Sequence, residues 1–279
     1  MKYETILKTI TDYVLKCSHY PKLDAINLLK NHPEQFQEET WTDKYGGHAE
    51  LWNEDGILRA SNPGTLFTIQ DNLQRNIEYS NLQEEMIRRY GLDLFRIFQA
   101  FNNNDTLSLN NEYQELSKYG QMRMNLDNGH LELQIYYQGT GVPEWIDLNQ
   151  CCEELERTID KSPTLQSNQK AYRYGRLPTG VDGKPLQEGE HGSFKGFTGL
   201  TYNEDLVFDD EGYLNNSDWM NSDNRYKLTC YVIEGTKGLV LGESVHHSSL
   251  QNELLLNRNQ RCMVWSRSDE TKEATILIY

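Results

Sequence analysis

The stretch "QNELLLNRNQRCMVWS", residues 251 to 266, sets a glutamine and a carboxylate two residues apart at the mouth of an apolar run. By the two-residue period of a strand, Gln251 and Glu253 face the same side. Leu254, Leu255 and Leu256 follow without a polar break, as in a buried strand. A carboxylate in that place is either a solvated edge charge or a group that can stabilise developing positive charge. Far upstream, Tyr172-Arg173 lies in the strand-like run "KAYRYGRL", and Arg176, three residues on, points to the opposite face. An arginine offers phosphate oxygens a planar fork with two points of attachment. Between the two motifs lies "SFKGFTGLTYNED", with Phe197 flanked by the hydroxyls of Thr198 and Thr201.

These residues need elements to hold them. "YETILKTITDYVLKC" and the segment after Pro21 show helical spacing, and "HAELWNEDGILRAS" reads as a hairpin turning at Asp55-Gly56. Residues 72–101 return to helical periodicity with a break near Gly91, and "NNND" at 102–105 reads as a loop. "GQMRMNLDNGHLELQIYY" is a clear hairpin turning at Asn128-Gly129. From Pro143, the steps Trp145, Leu148, Cys152, Leu155 and Ile159 predict an amphipathic helix with proline in its first turn. From residue 170 onward short strands replace helical periodicity, which suggests a small β-sandwich or a twisted mixed sheet. The expected fold class is therefore α+β, with a helical and hairpin-containing N-terminal part over 1–140 and a β-rich core over 141–279.

Bulk properties bound the function. The 279 residues can bury a sizeable core, and 37% apolar content is that of a globular chain. No apolar run approaches the roughly 18 residues of a membrane span, so no membrane partner is expected. The N-terminus is amphipathic and carries acidic residues, unlike a signal or transit peptide, so a cytoplasmic location is expected. Five cysteines without a C-x-x-C argue against a disulfide framework or a zinc site, and His246-His247 lacks a spaced third ligand. No metal is expected. Neither a Gly-x-Gly-x-x-Gly after a strand nor a Gly-Lys-Ser/Thr loop is present. The net charge of −15 is uneven: residues 1–163 hold 15 basic and 26 acidic residues, the rest 12 and 16. The acidic first part is a poor match for a phosphate backbone.

Taken in order, Tyr172-Arg173, the Phe-centred "SFKGFTGLTYNED", the strand "YKLTCYVIEGTKG" and Gln251-x-Glu253 before "LLLNRN" resemble the mono-ADP-ribosyltransferase family. The likeness is to its toxin-type branch, with an Arg, Ser-Thr-Ser, Gln/Glu-x-Glu signature, and it covers roughly residues 144–279. It implies an ADP-ribosyltransferase-like β-core and NAD as substrate. Breaking the ribose–nicotinamide bond passes through an oxocarbenium-like centre, and cationic nicotinamide leaves without a general acid. The resemblance assigns charge stabilisation to Glu253, acceptor contact to Gln251 and the pyrophosphate to Arg173, with Tyr172, Phe197, Thr198 and Thr201 around the cofactor. One departure stands out: Gly199 and Leu200 occupy the places of the first Ser and the Thr of the family's Ser-Thr-Ser element. That first serine steadies the Arg and the Glu.

The resemblance also bears on partners. An amide such as Gln251 donates and accepts but cannot neutralise a guanidinium, which argues against an arginine acceptor. A macromolecular acceptor is expected, a protein side chain ahead of a nucleobase in RNA or DNA, and a toxin-type enzyme leaves room for an antitoxin or immunity partner. Two readings from other classes stay open. One is a catalytically inactive descendant that binds a partner, and the other is an interaction protein whose acidic N-terminal half is the functional part.

Overall fold

The computed structural model describes the backbone of residues 39–42, 48–54 and 57–60, together with residues 70–279 apart from 72, 75–76, 91–93, 138–141, 209–224 and 242–252. The two N-terminal helices expected before residue 34, the turn at Asp55-Gly56, the break at Gly91, His246-His247 and Gln251 lie outside the described residues.

Among the described residues, chain order begins with three short strands, β1 (Glu39–Thr42), β2 (His48–Glu54) and β3 (Ile57–Ala60), of which β2 and β3 form the expected hairpin. Further along come the helices α1 (Asn81–Arg89), α2 (Phe95–Asn102) and α3 (Thr106–Lys118). A three-stranded antiparallel sheet comprises β4 (Met122–Met124), β5 (Leu131–Tyr136) and β6 (Pro143–Asp147), and helix α4 (Leu148–Lys161) closes this part. The remaining strands are β7 (Gln169–Arg176), β8 (His191–Phe194), β9 (Thr198–Thr201), β10 (Arg225–Val232), β11 (Gly238–Leu241), β12 (Glu253–Leu256), β13 (Gln260–Ser268) and β14 (Glu273–Ile278). A four-residue helix, α5 (Asp205–Phe208), interrupts them. The class is α+β, as expected.

Among the described residues the larger sheet is mixed. Its main path runs β1-β2-β3-β7-β10-β14-β13-β8, and a branch β11-β12-β9 joins at β7 through the pair Tyr172–Thr201. The pair β10–β14 is parallel, while β7–β10 and β13–β14 are antiparallel. Two cores result. One lies between the branch and the main path, where Leu200, Leu254 and Leu256 meet Ala171, Leu228, Cys230 and Ile276. The other lies on the opposite face of the branch, where Phe197, Leu239, Leu241 and Leu255 meet helices α1, α2 and α4. Strand β12 is thus apolar on both faces, which is why three leucines follow one another there.

The edge of β11 is capped by side chains. Val240 donates its N–H to Gln74 Oε1 at 2.8 Å and accepts from Gln74 Nε2 at 3.1 Å, and Gln70 Nε2 reaches the Gly238 carbonyl at 3.3 Å. One amide side chain therefore satisfies both backbone groups of an edge residue.

Two expectations need correction. The helix expected from Pro143 begins at Leu148, because residues 143–147 pair with β5 as strand β6. Pro143 is tolerated at the first position of this edge strand, where its missing N–H breaks no ladder. Trp145 lies under the Arg123 guanidinium, 4.3 Å from the ring centroid. Asp147 starts the helix, accepting from the N–H groups of Asn149 at 2.9 Å and Gln150 at 3.2 Å. The second correction concerns the segment after "NNND": Asn102 closes α2, and Asp105 caps the unanticipated α3 by accepting from Ser108 N–H at 3.1 Å. Helix α3 buries only Leu116 fully, so its sequence carries little apolar periodicity.

Four cysteines, Cys151, Cys152, Cys230 and Cys262, are reduced and buried. Burial pushes the thiols of Cys151, Cys152 and Cys230 up to about 12, and that of Cys262 up as well. None forms the thiolate needed for attack near neutral pH. With native protein at pH 8, Ellman's reagent should therefore react with Cys17 at most, and urea should release all five thiols. Fast labelling of two or more thiols without unfolding would contradict this burial.

Candidate active site

A cavity of about 660 Å³ opens where the branch β9–β12 meets β7 and helix α2. Its size falls within the roughly 300–1,000 Å³ of ligand clefts. Arg173, Tyr172, Thr198, Gly199, Thr201 and Glu253 all line it, although β7 and β12 are far apart in sequence. Pairing in β9–β12 sets Glu253 opposite Thr201 and Leu255 opposite Gly199. Alternation therefore puts Glu253, Thr201, Gly199 and Leu255 on one face. The helices cover Leu255, but cover stops short of Glu253, so the carboxylate at the strand's mouth faces the cavity.

Arg173 comes from the middle of β7. Its guanidinium lies back along the strand over Gly175, and Nη1 donates to the Gly199 carbonyl at 2.8 Å. Its Nε is buried and has no hydrogen-bond partner. A buried donor in that condition is costly unless something completes it, which suits an arginine placed for an anion. Arg225 on β10 stands directly across from Arg176, and both line the same cavity. Burial first, then the charges of Arg173 and Arg176, depress the Arg225 guanidinium below its usual range. Like charges gathered this way favour an anionic guest. Arg176 is exposed and pairs with Asp105 at 3.8 Å.

The hydroxyls are otherwise engaged. Tyr172 donates to Glu204 Oε2 at 2.6 Å, and its ring meets Phe208 edge-on at 5.8 Å. Thr198 faces away from Glu253 and donates to the Gly196 carbonyl at 3.2 Å. Thr201 accepts from Asn203 N–H at 3.1 Å. Phe197 does not line the cavity. Its ring is fully buried in the helical core, edge-on to Tyr90 at 5.9 Å and tilted against Phe98 at 6.2 Å. The residue expected beside the cofactor is a support behind the wall.

Several cavity residues carry no signal in the sequence, because they come from helices that only the fold brings to the strands. Tyr90, at the end of α1, is nearly buried, and burial followed by the negative charge of Glu253 raises its hydroxyl well above the usual phenol range. It stays protonated and can donate. Gln99 on α2 gives Nε2 to the Tyr90 hydroxyl at 3.3 Å and to the Phe197 carbonyl. Asn103 steadies Gln99 from below, with Nδ2 on its carbonyl at 2.8 Å. The sharp step at Gly196 admits Gln99, since a side chain at 196 would overlap its amide.

The chain matches no family model, and no curated protein matches it in sequence. Solved structures with a similar arrangement include three bacterial proteins. One is the ADP-ribosyltransferase Vis from Vibrio splendidus in complex with an inhibitor, 10% identical over 77% of this chain and 81% of that one, with a TM-score of 0.47. Another is C3stau2 from S. aureus with NAD, at 15% identity over 77% and 95%, TM-score 0.45. A third is Plx2a, an ADP-ribosyltransferase toxin from Paenibacillus larvae, at 10% identity over 78% and 96%, TM-score 0.44. Likeness at this level assigns no residue a role.

Removing the Gln99 side chain should leave the Phe197 carbonyl and the Tyr90 hydroxyl short of a donor. Gln99→Ala is expected to lower stability by about 1–3 kcal/mol in urea unfolding. An unchanged midpoint would show that the amide does not tie α2 to β9.

Proposed function

We propose that this chain is an NAD-dependent mono-ADP-ribosyltransferase of the toxin or effector type, which transfers ADP-ribose to a non-arginine acceptor on a macromolecule, a protein by preference. The observation that carries this reading is the convergence of Glu253 and Arg173 on one cavity, joined through Gly199, to which Arg173 donates a hydrogen bond. A glycosyl transfer from NAD needs little more than an anion clamp and one carboxylate.

In this reading Arg173, with Arg225 lining the same cavity, holds the pyrophosphate by charge. The C1′–N bond of the nicotinamide ribose breaks, and its electron pair goes to the ring nitrogen, so cationic nicotinamide leaves neutral. Positive charge develops on C1′ and the ring oxygen, and the Glu253 carboxylate stabilises it. The acceptor's nucleophilic atom bonds to C1′ and its proton passes to solvent water. Tyr90, kept protonated, is a donor toward this region rather than a base. Gln251 would meet the acceptor two residues before Glu253, and its amide gives no countercharge for a guanidinium.

A protein acceptor is favoured over a nucleobase because two of the three arginines near β12 and β13, Arg258 and Arg267, are tied to named partners. Arg258 is held by Glu156 at 2.6 Å and by Asn102 at 3.1 Å. Arg267 is held by Asp269 at 2.6 Å and by the Leu186 carbonyl at 3.0 Å. These two are therefore not available to a free basic stripe for strand tracking. Action in the cytoplasm, and regulation by an antitoxin or immunity partner, belong to the same proposal.

Glu253→Gln should lower transfer and NAD hydrolysis by about 10²-fold or more, with the fold and much NAD binding intact. Rates within a few-fold of wild type would remove Glu253 from the chemistry. Arg173→Ala should weaken NAD binding, and an effect from Arg176→Ala alone would reassign the phosphate arginine.

Acceptor class is read by labelling a lysate with tagged NAD and digesting with protease or nuclease. Label lost to nuclease alone would overturn the protein preference. Release by neutral hydroxylamine at the rate of an arginine linkage would overturn the inference from Gln251.

A further inference from the structure

We propose that Gly199 is the positioning residue of this site: the space left by its missing side chain is the seat of the Glu253 carboxylate, while its carbonyl holds Arg173. The role in catalysis rests on the reading under Proposed function, but the seat itself is a matter of geometry.

Glu253 stands opposite Thr201, and Gly199 is two residues further along the same face of β9. This is the diagonal relation in which a long side chain reaches across to its neighbour. Glu253 does so, and its carboxylate lies against the Gly199 Cα. A Cβ at 199 would overlap Oε1 and come within 2.9 Å of Cδ and 3.5 Å of Cγ. The glycine is not there for its backbone, because its φ lies outside the left-handed region that favours glycine. It is there for space. In a strand interior a glycine otherwise weakens packing, so close approach by another group is the physical reason for one.

The other charge of the site is seated alike. A Cβ at Gly175 would come within 2.8 Å of Arg173 Nε and 3.5 Å of Cζ, and Gly175 also lies outside the left-handed region. Both the guanidinium and the carboxylate therefore lie flat on glycines. Gly199 alone touches both, through its Cα on one side and its carbonyl, 2.8 Å from Arg173 Nη1, on the other. Any larger residue at 199 would leave that carbonyl in place but drive the carboxylate off the sheet. Because the displaced group is the end of a flexible side chain, the fold should tolerate the change while Glu253 loses its position.

The resemblance in sequence suggests the reverse, since there a serine at this place steadies the carboxylate. Gly199→Ser is accordingly the sharp test, with Gly199→Ala beside it. Both should lower kcat for NAD hydrolysis by roughly 10- to 10²-fold, the scale of a misplacement near 1 Å, with KM for NAD within about threefold. Glu253→Asp shortens the side chain by one methylene, so Gly199→Ala should cost little further rate in the Glu253→Asp background. Equal or faster turnover by Gly199→Ser, or an undiminished loss from Gly199→Ala beside Glu253→Asp, would overturn the proposal.

Wild-type protein that turns over no NAD and modifies nothing would instead sink the functional reading. The seat is then read from urea unfolding of Gly199→Ala, Glu253→Ala and the double variant. Non-additive changes, with alanine at 199 tolerated better in the Glu253→Ala background, support it, and additive changes overturn it.

Discussion

Strands β9 and β12 have no solvated face along most of their length, because Leu254 and Leu256 enter one core and Leu255 the other. Side-chain alternation then leaves few places where a charged residue can stand. At the start of β12 the residue on the helical face must either be covered by α2 or look into the gap where that cover ends. Glu253 occupies this place, and a one-residue slip of register would bury the carboxylate in the sandwich core, where an unpaired charge is untenable. The packing that makes β12 greasy is therefore also what aims its one carboxylate. Arg173 obeys the same logic on β7, whose neighbour Ala171 is buried and whose register with β10 fixes where the guanidinium emerges.

The N-terminal helices supply the other wall. Phe98 and Phe197 meet tilted in the core, and Tyr90 sits edge-on to Phe197 with its hydroxyl directed to Gln99. Gln99 in turn grips the Phe197 carbonyl. Strand β9 is thereby held from two directions, by β12 through its ladder and by α2 through one amide. The far end of β12 is held too, since Arg258 just beyond it joins Glu156 of α4 to Asn102 of α2. A site formed by two strands and a helix keeps its shape because the helix is bonded to the strands and does not merely rest on them.

What could be read from sequence divides along physical lines. The strands of the last third were legible because apolar runs and turn residues punctuate them, and the α+β class followed. Glu253 and Arg173 were legible as candidates because each sits in a local pattern. Helix α3 was not, since a helix that buries little leaves little period to find. The start of α4 was misplaced because Trp145 stands three residues before Leu148 and so continues the helical spacing by coincidence, and only the pairing of β6 with β5 sets it apart. Tyr90, Gln99 and Arg225 left no trace, because their relation to Glu253 exists only in three dimensions. Gly199 looked like a lost hydroxyl in one dimension and is a filled space in three.

The capping of β11 by Gln74 has a meaning of its own. An edge strand made of Leu239, Val240 and Leu241 is a template onto which a foreign strand could add, and the outward-facing backbone groups of Val240 are closed by a side-chain amide. The edge is closed here by a counterfeit peptide bond, carried on a residue that precedes its partner by 166 positions. Loss of the segment around residue 74 would reopen that edge, so the exposure of a pairing strand is tied to a contact made far away in the sequence.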